Sequence, residues 1–351
     1  MADKIKIQTL NNISPLGLSR LPSDRYSIGH EITNPDAILV RSTKMHDMEI
    51  PTSVKAIARA GAGTNNVPVA KMTERGVPVF NAPGANANAV KELVIAGMLI
   101  ASRNLMPAWH FADALSGADA EISKAVEAGK KNYGGIELPN RTLGIIGLGA
   151  IGSMVADAGI RLGMNVIGFD PEITVEAAWR LPSNVKKATS VEEVVKNSDF
   201  ISLHVPLLDK TRNMIDHVRI ALMKPGTVLL NFAREGIVDD QAVVEGIASG
   251  KLRSYVCDFP SNTLKHNPSV ITLPHLGAST EEAEENCAVM VAEQVRDYLE
   301  HGNIRNSVNF PNVAMPRESA FRIAIANANV PNMLGQISTD RKSTRLNSSH
   351  Q

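Results

Sequence analysis

Cysteine is scarce in this chain: Cys257 and Cys287 are the only two among 351 residues. Two thiols are too few for a disulfide framework, so both are predicted to be buried and reduced. The chain also lacks an apolar run of membrane-spanning length, and its first residues carry charge where a signal peptide would be apolar. These absences predict a cytoplasmic protein with no membrane partner.

An excess of either charge is missing as well, because 36 Lys and Arg balance 36 Asp and Glu. A chain with zero formal net charge has no broad field to attract nucleic acid or anionic lipid. Nucleic acid is therefore not expected as a partner, and no metal site is predicted. Any anion must be recognised by a few local side chains.

Short apolar runs alternate with helical segments along most of the chain. The hydrophobic content of 44% in 351 residues is more than one compact core usually absorbs, which predicts two domains. Runs that are apolar on both faces predict parallel sheets covered by helices. The fold class is therefore α/β, and the long helical stretch "AVKELVIAGMLIASRNL" marks the first domain boundary.

The stretch "TLGIIGLGAIG" carries Gly147, Gly149 and Gly152 in G-x-G-x-x-G spacing between a strand and a helix. The first glycine permits a tight turn, the second lets a pyrophosphate approach, and the third lets helix pack on strand. Asp170 ends the next strand, where a carboxylate binds a ribose diol and repels a 2′-phosphate. The motif predicts a Rossmann-type doubly wound sheet that binds NAD. The alternative is three packing glycines with Asp170 as a turn cap.

Polar side chains also follow four later strands, at His204, Arg234, Asp258 and His275. Ligands of open parallel sheets bind outside the carboxyl ends of the strands, so these side chains are expected to converge on the nicotinamide. Arg234 suits a carboxylate, and His275 can exchange the proton that accompanies hydride transfer. His204 is equally compatible with a hydrogen-bonded core histidine, and Asp258 with a cap before Pro260.

Taken together, several stretches resemble the D-isomer-specific 2-hydroxyacid dehydrogenase family, over nearly the whole chain to about residue 338. These stretches are "ILVRSTKM", "AIARAGAGTNNV", "VFNAPGANANAV", "TLGIIGLGAIG", "SLHVPLLDKTRNMI", "LLNFAREGIVDD" and "PHLGASTEEAEEN". The resemblance implies an NAD-dependent enzyme acting on a phosphorylated 2-hydroxy or 2-oxo acid. Another implication is a homodimer through the NAD domains, with residues 117–140 as the connecting arm.

The same resemblance implies a discontinuous substrate domain of flavodoxin-like α/β type. This domain comprises residues 1–92 and 280–310, the latter a returning helix that Ser279 caps, and the NAD domain comprises residues 93–279. Residues 317–338 resemble the opening of an ACT regulatory domain that is cut short. Residues 339–351 show no hydrophobic period and are predicted to be disordered.

Site residues implied by the resemblance fall into three groups. His275 is the acid and base, and Arg234 holds the carboxylate and oxygen of the 2-oxo acid. Ala62, Gly63 and Asn81 would bind the substrate, and Arg41 and Arg59 would meet its phosphate unless they are ordinary solvated strand-end charges. The cofactor residues are Gly147, Gly149, Ala150, Ile151, Gly152, Asp170, His204, Pro206, Thr211, Ala233, Asp258, Gly277 and Ala278.

Two positions depart from the family pattern. Asn262 stands where the family has a glutamate paired with the catalytic histidine; an amide can orient the imidazole but cannot stabilise its charge. His275 is therefore expected to lose its proton more readily than in relatives with the glutamate. Cys257 occupies the place of a cofactor-contacting aspartate, with Asp258 one residue later, and the sequence leaves open whether Asp258 serves the cofactor or His275.

Two other functions remain compatible with the sequence. One is a different D-2-hydroxyacid dehydrogenase, of glyoxylate, hydroxypyruvate or lactate type. The other is a non-catalytic NAD-sensing protein that keeps the fold for partner recognition, which the missing glutamate at Asn262 would permit.

Overall fold

The computed structural model describes residues 3–316, together with 318, 319, 325, 331–333 and 335. The strands in this part are β1 Ile5–Leu10, β2 Tyr26–Gly29, β3 Ala37–Val40, β4 Ala56–Arg59, β5 Val79–Phe80, β6 Thr142–Ile146, β7 Asn165–Phe169, β8 Lys186–Lys187, β9 Phe200–Leu203, β10 Thr227–Asn231, β11 Leu252–Cys257 and β12 Val270–Thr272. The α-helices are α1 Pro15–Leu18, α2 Val69–Glu74, α3 Ala87–Ser102, α4 Leu105–Asp113, α5 Asp119–Gly129, α6 Ala150–Arg161, α7 Val175–Arg180, α8 Val191–Asn197, α9 His217–Leu222, α10 Asp240–Ala248 and α11 Glu281–His301. Short 3₁₀ turns occur at Lys130–Tyr133 and Asp209–Thr211.

The first sheet holds five parallel strands in the order β2-β1-β3-β4-β5. Its strands are apolar on both faces, and each face has its own buried core. On one face, Ile7 and Leu39 pack with Val291 and Val295 of α11. The helix that returns from the far end of the chain therefore completes the core of the N-terminal sheet.

The second sheet holds seven parallel strands in the order β12-β11-β10-β9-β6-β7-β8. The order reverses between β6 and β9, which creates the crevice where ligands of such sheets bind. Buried clusters cover both faces, with Ile201 and Leu229 in one and Leu143 and Leu230 in the other. The predicted α/β fold with two parallel sheets is confirmed.

Helix α3 joins the two sheets and packs on the second. Val94 and Met98 belong to the core of the seven-stranded sheet, and the position of a Cβ on Gly97 lies 3.1 Å from the ring of Phe232. A larger residue at 97 would push the helix from β10. The helix predicted to bridge the domains therefore packs closely beside the end of β10, the strand that precedes Arg234.

Helix α11 begins one residue later than the prediction. The hydroxyl of Thr280, not Ser279, accepts a hydrogen bond from the backbone N–H of Ala283 at 3.1 Å. Ser279 instead closes a turn, with its N–H donating to the carbonyl of Leu276 at 2.9 Å. Both residues are good N-caps, so the sequence alone does not separate them.

Other elements follow from the structure alone. Part of the connection at 117–140 is helical, as α5, and the short edge strands β2 and β8 were not predicted. Most of the ACT-like segment at 317–338, and all of 339–351, lie outside the described residues. None of the described helices combines the length and apolar character needed to span a bilayer. Cys257 and Cys287 are both buried and free, as predicted.

Candidate active site

The glycine turn after β6 has one open face. A Cβ on Gly147, whose φ is 93°, would lie 2.5 Å from the carbonyl oxygen of His204, and a Cβ on Gly152 would overlap the Gly147 carbonyl. By contrast, the Cβ position of Gly149 has no neighbour within 4 Å. Helix α6 begins there without a side-chain cap, so its first N–H groups are available to an anion. Space and donors at this turn therefore fit the pyrophosphate of NAD.

Asp170 lies beside this turn. Its Oδ2 accepts a hydrogen bond from the N–H of Leu148 at 2.8 Å, and its Oδ1 accepts one from the N–H of Glu172 at 2.9 Å. Each carboxylate oxygen retains a further lone pair for a ribose hydroxyl. Asp170 forms no ion pair among the described residues, and its negative charge disfavours a 2′-phosphate. The nearby Lys210 is paired with Glu172 at 2.9 Å.

His204 follows β9 and is a neutral, hydrogen-bonded histidine. Its Nε2 lies 2.9 Å from the hydroxyl of Ser202, its Nδ1 is buried without a partner, and burial lowers its pKa to about 4. The backbone of His204 is what touches the glycine turn. The imidazole itself matches the alternative of a core histidine.

The loop after His204 is held by Thr211. The buried hydroxyl of Thr211 donates to the carbonyl of Pro206 at 2.6 Å and accepts from the N–H of Leu208 at 2.8 Å. Pro206 is exposed. Thr211 therefore shapes the wall of the crevice by internal hydrogen bonds.

His275 lies in the loop that follows β12, a partly buried strand. Its φ is 58°, a left-handed conformation that is uncommon for a residue with a side chain. The ring is exposed and meets the edge of Phe259 at a centroid distance of 5.2 Å and an angle of 78°. Among the described residues, the imidazole makes no hydrogen bond, which leaves both nitrogens available to a substrate.

Asn262 lies on the loop that follows β11. Its side chain is exposed and makes no hydrogen bond in the part of the chain that the structure describes. The expectation that the amide could orient the imidazole therefore stays a prediction.

Asp258 is 1% exposed and binds the loop that carries His275. Its Oδ1 accepts from the N–H of Leu276 at 3.0 Å, and its Oδ2 accepts from the N–H of Gly277 at 2.7 Å. The backbone carbonyl of Asp258 also accepts from the N–H of His275 at 3.2 Å. Three consecutive amides are thus fixed by one residue. Ala278, which follows, is exposed.

Arg234 follows β10 in a turn that Asn231 shapes. The buried Asn231 side chain donates to the carbonyl of Arg234 at 2.9 Å and accepts from the N–H of Ala233 at 3.2 Å. The guanidinium is exposed, and its Nη2 lies 3.7 Å from the Cβ position of Gly63 in the other domain. Arg234 therefore extends from the NAD-binding sheet toward the predicted substrate loop.

That loop is itself ordered by polar contacts. The Asn81 amide donates to the carbonyl of Ala62 at 2.6 Å, and the Nε of Arg59 donates to the carbonyl of Arg41 at 3.1 Å. Among the described residues, Arg59 makes a hydrogen bond only through its Nε, so its two terminal nitrogens can meet an anion.

Three arginines come near one another at this loop. Burial lowers the pKa of Arg59; Cys287 opposes this shift, and the charges of Arg234 and Arg41 add to it. Arg41 also forms an ion pair with Glu284 of α11. A bound anion would relieve the repulsion among the guanidinium groups.

Sequence reasoning missed Glu284 and Phe259. Glu284 is one of several acidic residues in the first turn of α11. The sequence does not show which of these carboxylates forms an ion pair and which faces solvent. Phe259 directly follows Asp258 and meets the ring of His275. This contact could not be predicted, because it depends on how β11 and β12 lie relative to each other. Ile151, assigned to the cofactor, lies partly buried at the start of α6 beside Ala150.

The fold and the open glycine turn define a two-domain, NAD-binding α/β protein. Residues 105–277 match the family model described as D-isomer specific 2-hydroxyacid dehydrogenase, NAD binding domain. A Schizosaccharomyces pombe protein named "Putative D-3-phosphoglycerate dehydrogenase" is 31% identical over 377 residues, covering 96% of this chain and 77% of that protein. The chain belongs to the D-isomer-specific 2-hydroxyacid dehydrogenase family, and its cofactor is NAD.

Other relatives agree with this assignment. The D-3-phosphoglycerate dehydrogenase of Methanocaldococcus jannaschii is 40% identical over 302 residues, covering 84% of this chain and 55% of the relative. The chain thus spans little more than half the length of several curated relatives. Among solved structures, a glyoxylate reductase from Paecilomyes thermophila aligns with a TM-score of 0.69 at 25% identity, covering 88% of this chain and 99% of that one. The NAD⁺-bound 3-phosphoglycerate dehydrogenase of Entamoeba histolytica aligns with a TM-score of 0.66 at 24% identity, covering 88% and 99%.

Proposed function

We propose that this chain is an NAD-dependent oxidoreductase that interconverts D-3-phosphoglycerate and 3-phosphohydroxypyruvate, a step toward serine. The observation that carries the proposal is the group of three guanidinium groups at the cleft. Arg234 reaches toward Gly63 from one domain, and Arg59 lies close enough to Arg41 and Arg234 for their charges to lower its pKa. A small acid with a carboxylate and a phosphate carries enough negative charge to occupy such a site. The names of the most similar curated relatives support the same substrate.

In this proposal Arg234 anchors the substrate. Its planar fork binds the carboxylate and C2 oxygen, while the N–H groups of the Ala62–Gly63 turn bind the carboxylate from the other side. Asn81 holds the Ala62 carbonyl at 2.6 Å, which fixes the direction of those N–H groups. The substrate would thus be held between the two domains with C2 facing the crevice of the seven-stranded sheet.

His275 moves the proton. During oxidation its neutral imidazole accepts the proton of the C2 hydroxyl, and during reduction its protonated ring donates a proton to the new hydroxyl oxygen. NAD, when bound, takes or supplies the hydride. A positioned acid or base of this kind contributes roughly two to four powers of ten in rate. Closure of the domains around the substrate would exclude water from the site.

A second candidate is a reductase of glyoxylate, hydroxypyruvate or lactate type. The ion pair between Arg41 and Glu284 favours it, because a guanidinium already neutralised by a carboxylate has less positive charge to offer a phosphate. The missing carboxylate partner of His275 keeps a third candidate, a non-catalytic NAD-sensing protein, open to test.

Three further assignments belong to the proposal. The substrate domain consists of residues 1–92 and 280–310 and the NAD domain of residues 93–279, supported by the packing of α11 on the first sheet. A homodimer forms through the NAD domains, supported by exposed apolar side chains on and beside α4, namely Leu99, Leu105, Met106, Trp109 and Val126. The protein works in the cytoplasm, where its buried free thiols remain reduced.

Spectrophotometric NADH oxidation tests the function. The purified full chain is assayed with phosphohydroxypyruvate, hydroxypyruvate, glyoxylate and pyruvate, and His275→Ala is the matched control. The proposal expects the highest kcat/KM with phosphohydroxypyruvate and a loss of roughly 100-fold or more in the variant. Preference for an unphosphorylated acid would support the second candidate. NADH binding without turnover of any acid would support the third.

A further inference from the structure

Asp258 is the best-buried carboxylate beside the reacting residues, and its contacts indicate how the histidine is placed. It is 1% exposed, yet it makes no ion pair among the described residues; both oxygens accept backbone N–H groups of Leu276 and Gly277. A buried carboxylate is stable only when such donors compensate its lost hydration. These two bonds are charge-assisted and therefore stronger than ordinary amide contacts.

The backbone of His275 needs this support. A side-chain-bearing residue in the left-handed region costs about 1 to 2 kcal/mol, so the conformation persists only if neighbouring contacts hold it. The φ of His275 is 58°, its N–H donates to the carbonyl of Asp258 at 3.2 Å, and the next two N–H groups bind the Asp258 carboxylate. Phe259, which follows Asp258 in the chain, makes an edge contact with the imidazole of His275.

We infer that Asp258 is a positioning residue that acts on catalysis through the backbone of the His275 loop, and not through the cofactor or the imidazole nitrogens. This inference rests on the proposed dehydrogenase function. It differs from the role of a carboxylate paired directly with the ring, because the buried Asp258 carboxylate binds the N–H groups of Leu276 and Gly277 and, among the described residues, makes no hydrogen bond to the imidazole. It also assigns Asp258 a role different from contact with the nicotinamide, which was one of the two roles that the sequence left open.

Asp258→Asn tests the inference, because the amide keeps the shape but offers one acceptor where the carboxylate offers two. A displacement near 1 Å of a reacting group can cost on the order of 100-fold, so kcat should fall roughly 10- to 100-fold. The Kd for NADH should change less than about twofold. Asp199→Asn is the matched control: Asp199 accepts the N–H of Thr142 at 2.8 Å at the opposite end of the strands, so its loss should leave kcat within about twofold.

A double-mutant cycle separates positioning from other roles. In a His275→Ala background, Asp258→Asn should lower the residual rate by less than about twofold, because there is no imidazole left to position. An equal fold loss in both backgrounds, or a rise in the NADH Kd that matches the loss in kcat, would overturn the inference.

Amide hydrogen exchange gives an answer that does not depend on activity. The N–H groups of Leu276 and Gly277 should exchange slowly in the wild-type chain and much faster in Asp258→Asn, while the Thr142 N–H remains protected. Unchanged protection at Leu276 and Gly277 would overturn the inference. If none of the tested 2-oxo acids supports NADH oxidation by the wild-type chain, the proposed function fails instead. The exchange result then still decides whether Asp258 holds the loop.

Discussion

Arg234 of the NAD-binding domain approaches Gly63 of the substrate domain, with its Nη2 atom 3.7 Å from the position a Cβ on Gly63 would take. The two residues lie 171 positions apart in the chain and on different sheets. The guanidinium of Arg234 and the Ala62–Gly63 turn therefore lie close together across the two sheets. The arginine that follows β10 thus extends from its own sheet toward the loop that follows β4.

Replacing Arg234 should separate substrate binding from cofactor binding. Arg234→Ala removes a charged anchor, which costs about 2 to 4 kcal/mol, or roughly 30- to 900-fold in kcat/KM for the 2-oxo acid. Arg234→Lys keeps charge but loses the fork and should recover only part of the loss. Fluorescence titration should show NADH affinity within about twofold of wild type for both. Equal losses for acid and cofactor would mean that Arg234 serves the structure.

The ion pair between Arg41 and Glu284 makes a prediction of opposite signs. Arg41→Ala should lower kcat/KM for phosphohydroxypyruvate by roughly 10- to 100-fold and change that for hydroxypyruvate little, because only the phosphate needs this charge. Glu284→Gln should raise kcat/KM for the phosphorylated acid by roughly 2- to 10-fold, because the substrate phosphate no longer competes with the Glu284 carboxylate for Arg41. Glu281→Gln, on the exposed start of α11, is the control. If both acids respond alike to Arg41→Ala, Arg41 does not recognise phosphate.

Asn262 leaves His275 without an acidic partner, so restoring the glutamate should change the pH profile. The account expects the basic limb of kcat/KM for the 2-oxo acid to move to higher pH in Asn262→Glu, because a carboxylate near the imidazole stabilises its protonated form. Asn262→Gln, with the same length and no charge, should keep the wild-type profile. A limb that stays in place in the glutamate variant would defeat the idea that the missing charge governs His275.

His204 should make the fold sensitive to mild acid. Its pKa is about 4 in the folded chain and about 6.5 when unfolded, so below pH 6.5 only the unfolded chain takes up the proton. The free energy of unfolding should therefore fall by at most about 3 kcal/mol as the pH drops from about 6.5 to about 4. Above pH 6.5 this contribution of the neutral ring should be fully present. Denaturant unfolding at several pH values should show a flatter profile for His204→Asn. The exposed His46→Gln should follow wild type; identical profiles for all three would exclude a buried neutral ring.

The proposed dimer depends on the apolar surface around α4. Trp109 is 57% exposed there, so Trp109→Glu should weaken association and shift sedimentation velocity toward the monomer. Trp179, which is 85% exposed on α7, offers the same substitution on another surface, and Trp179→Glu should leave association unchanged. A wild-type chain that sediments as a monomer at all concentrations would remove this part of the proposal.

The core strands and the glycine turn could be predicted because their signals are local. Strands such as β6, β9 and β10 are apolar on both faces, and the spacing of Gly147, Gly149 and Gly152 sets a turn whose packing depends on neighbours close in sequence. The edge strands β2 and β8 were missed because they are short and partly exposed, so no apolar run marks them. Helix α5 was missed for a related reason: none of its side chains is buried.

The partners of Asp258 and Arg41 could not be predicted, because both depend on register between distant segments. The Asp258 carboxylate meets Leu276 and Gly277 only because β11 and β12 pair side by side. Glu284 meets Arg41 across 243 positions, once α11 has docked on the first sheet. The residue types at these positions predict polar or charged side chains that need partners. Tertiary packing decides which groups those partners are.

The central claim is that Arg234 and His275 act on the same carbon of one bound substrate. A crystal structure of the full chain with NAD⁺ and D-3-phosphoglycerate tests it most directly. The account predicts that the Arg234 guanidinium and an imidazole nitrogen of His275 both lie within hydrogen-bond distance of the C2 oxygen, with Arg59 on the phosphate. A bound substrate that meets only one of the two side chains, or that turns its phosphate toward solvent, would contradict it.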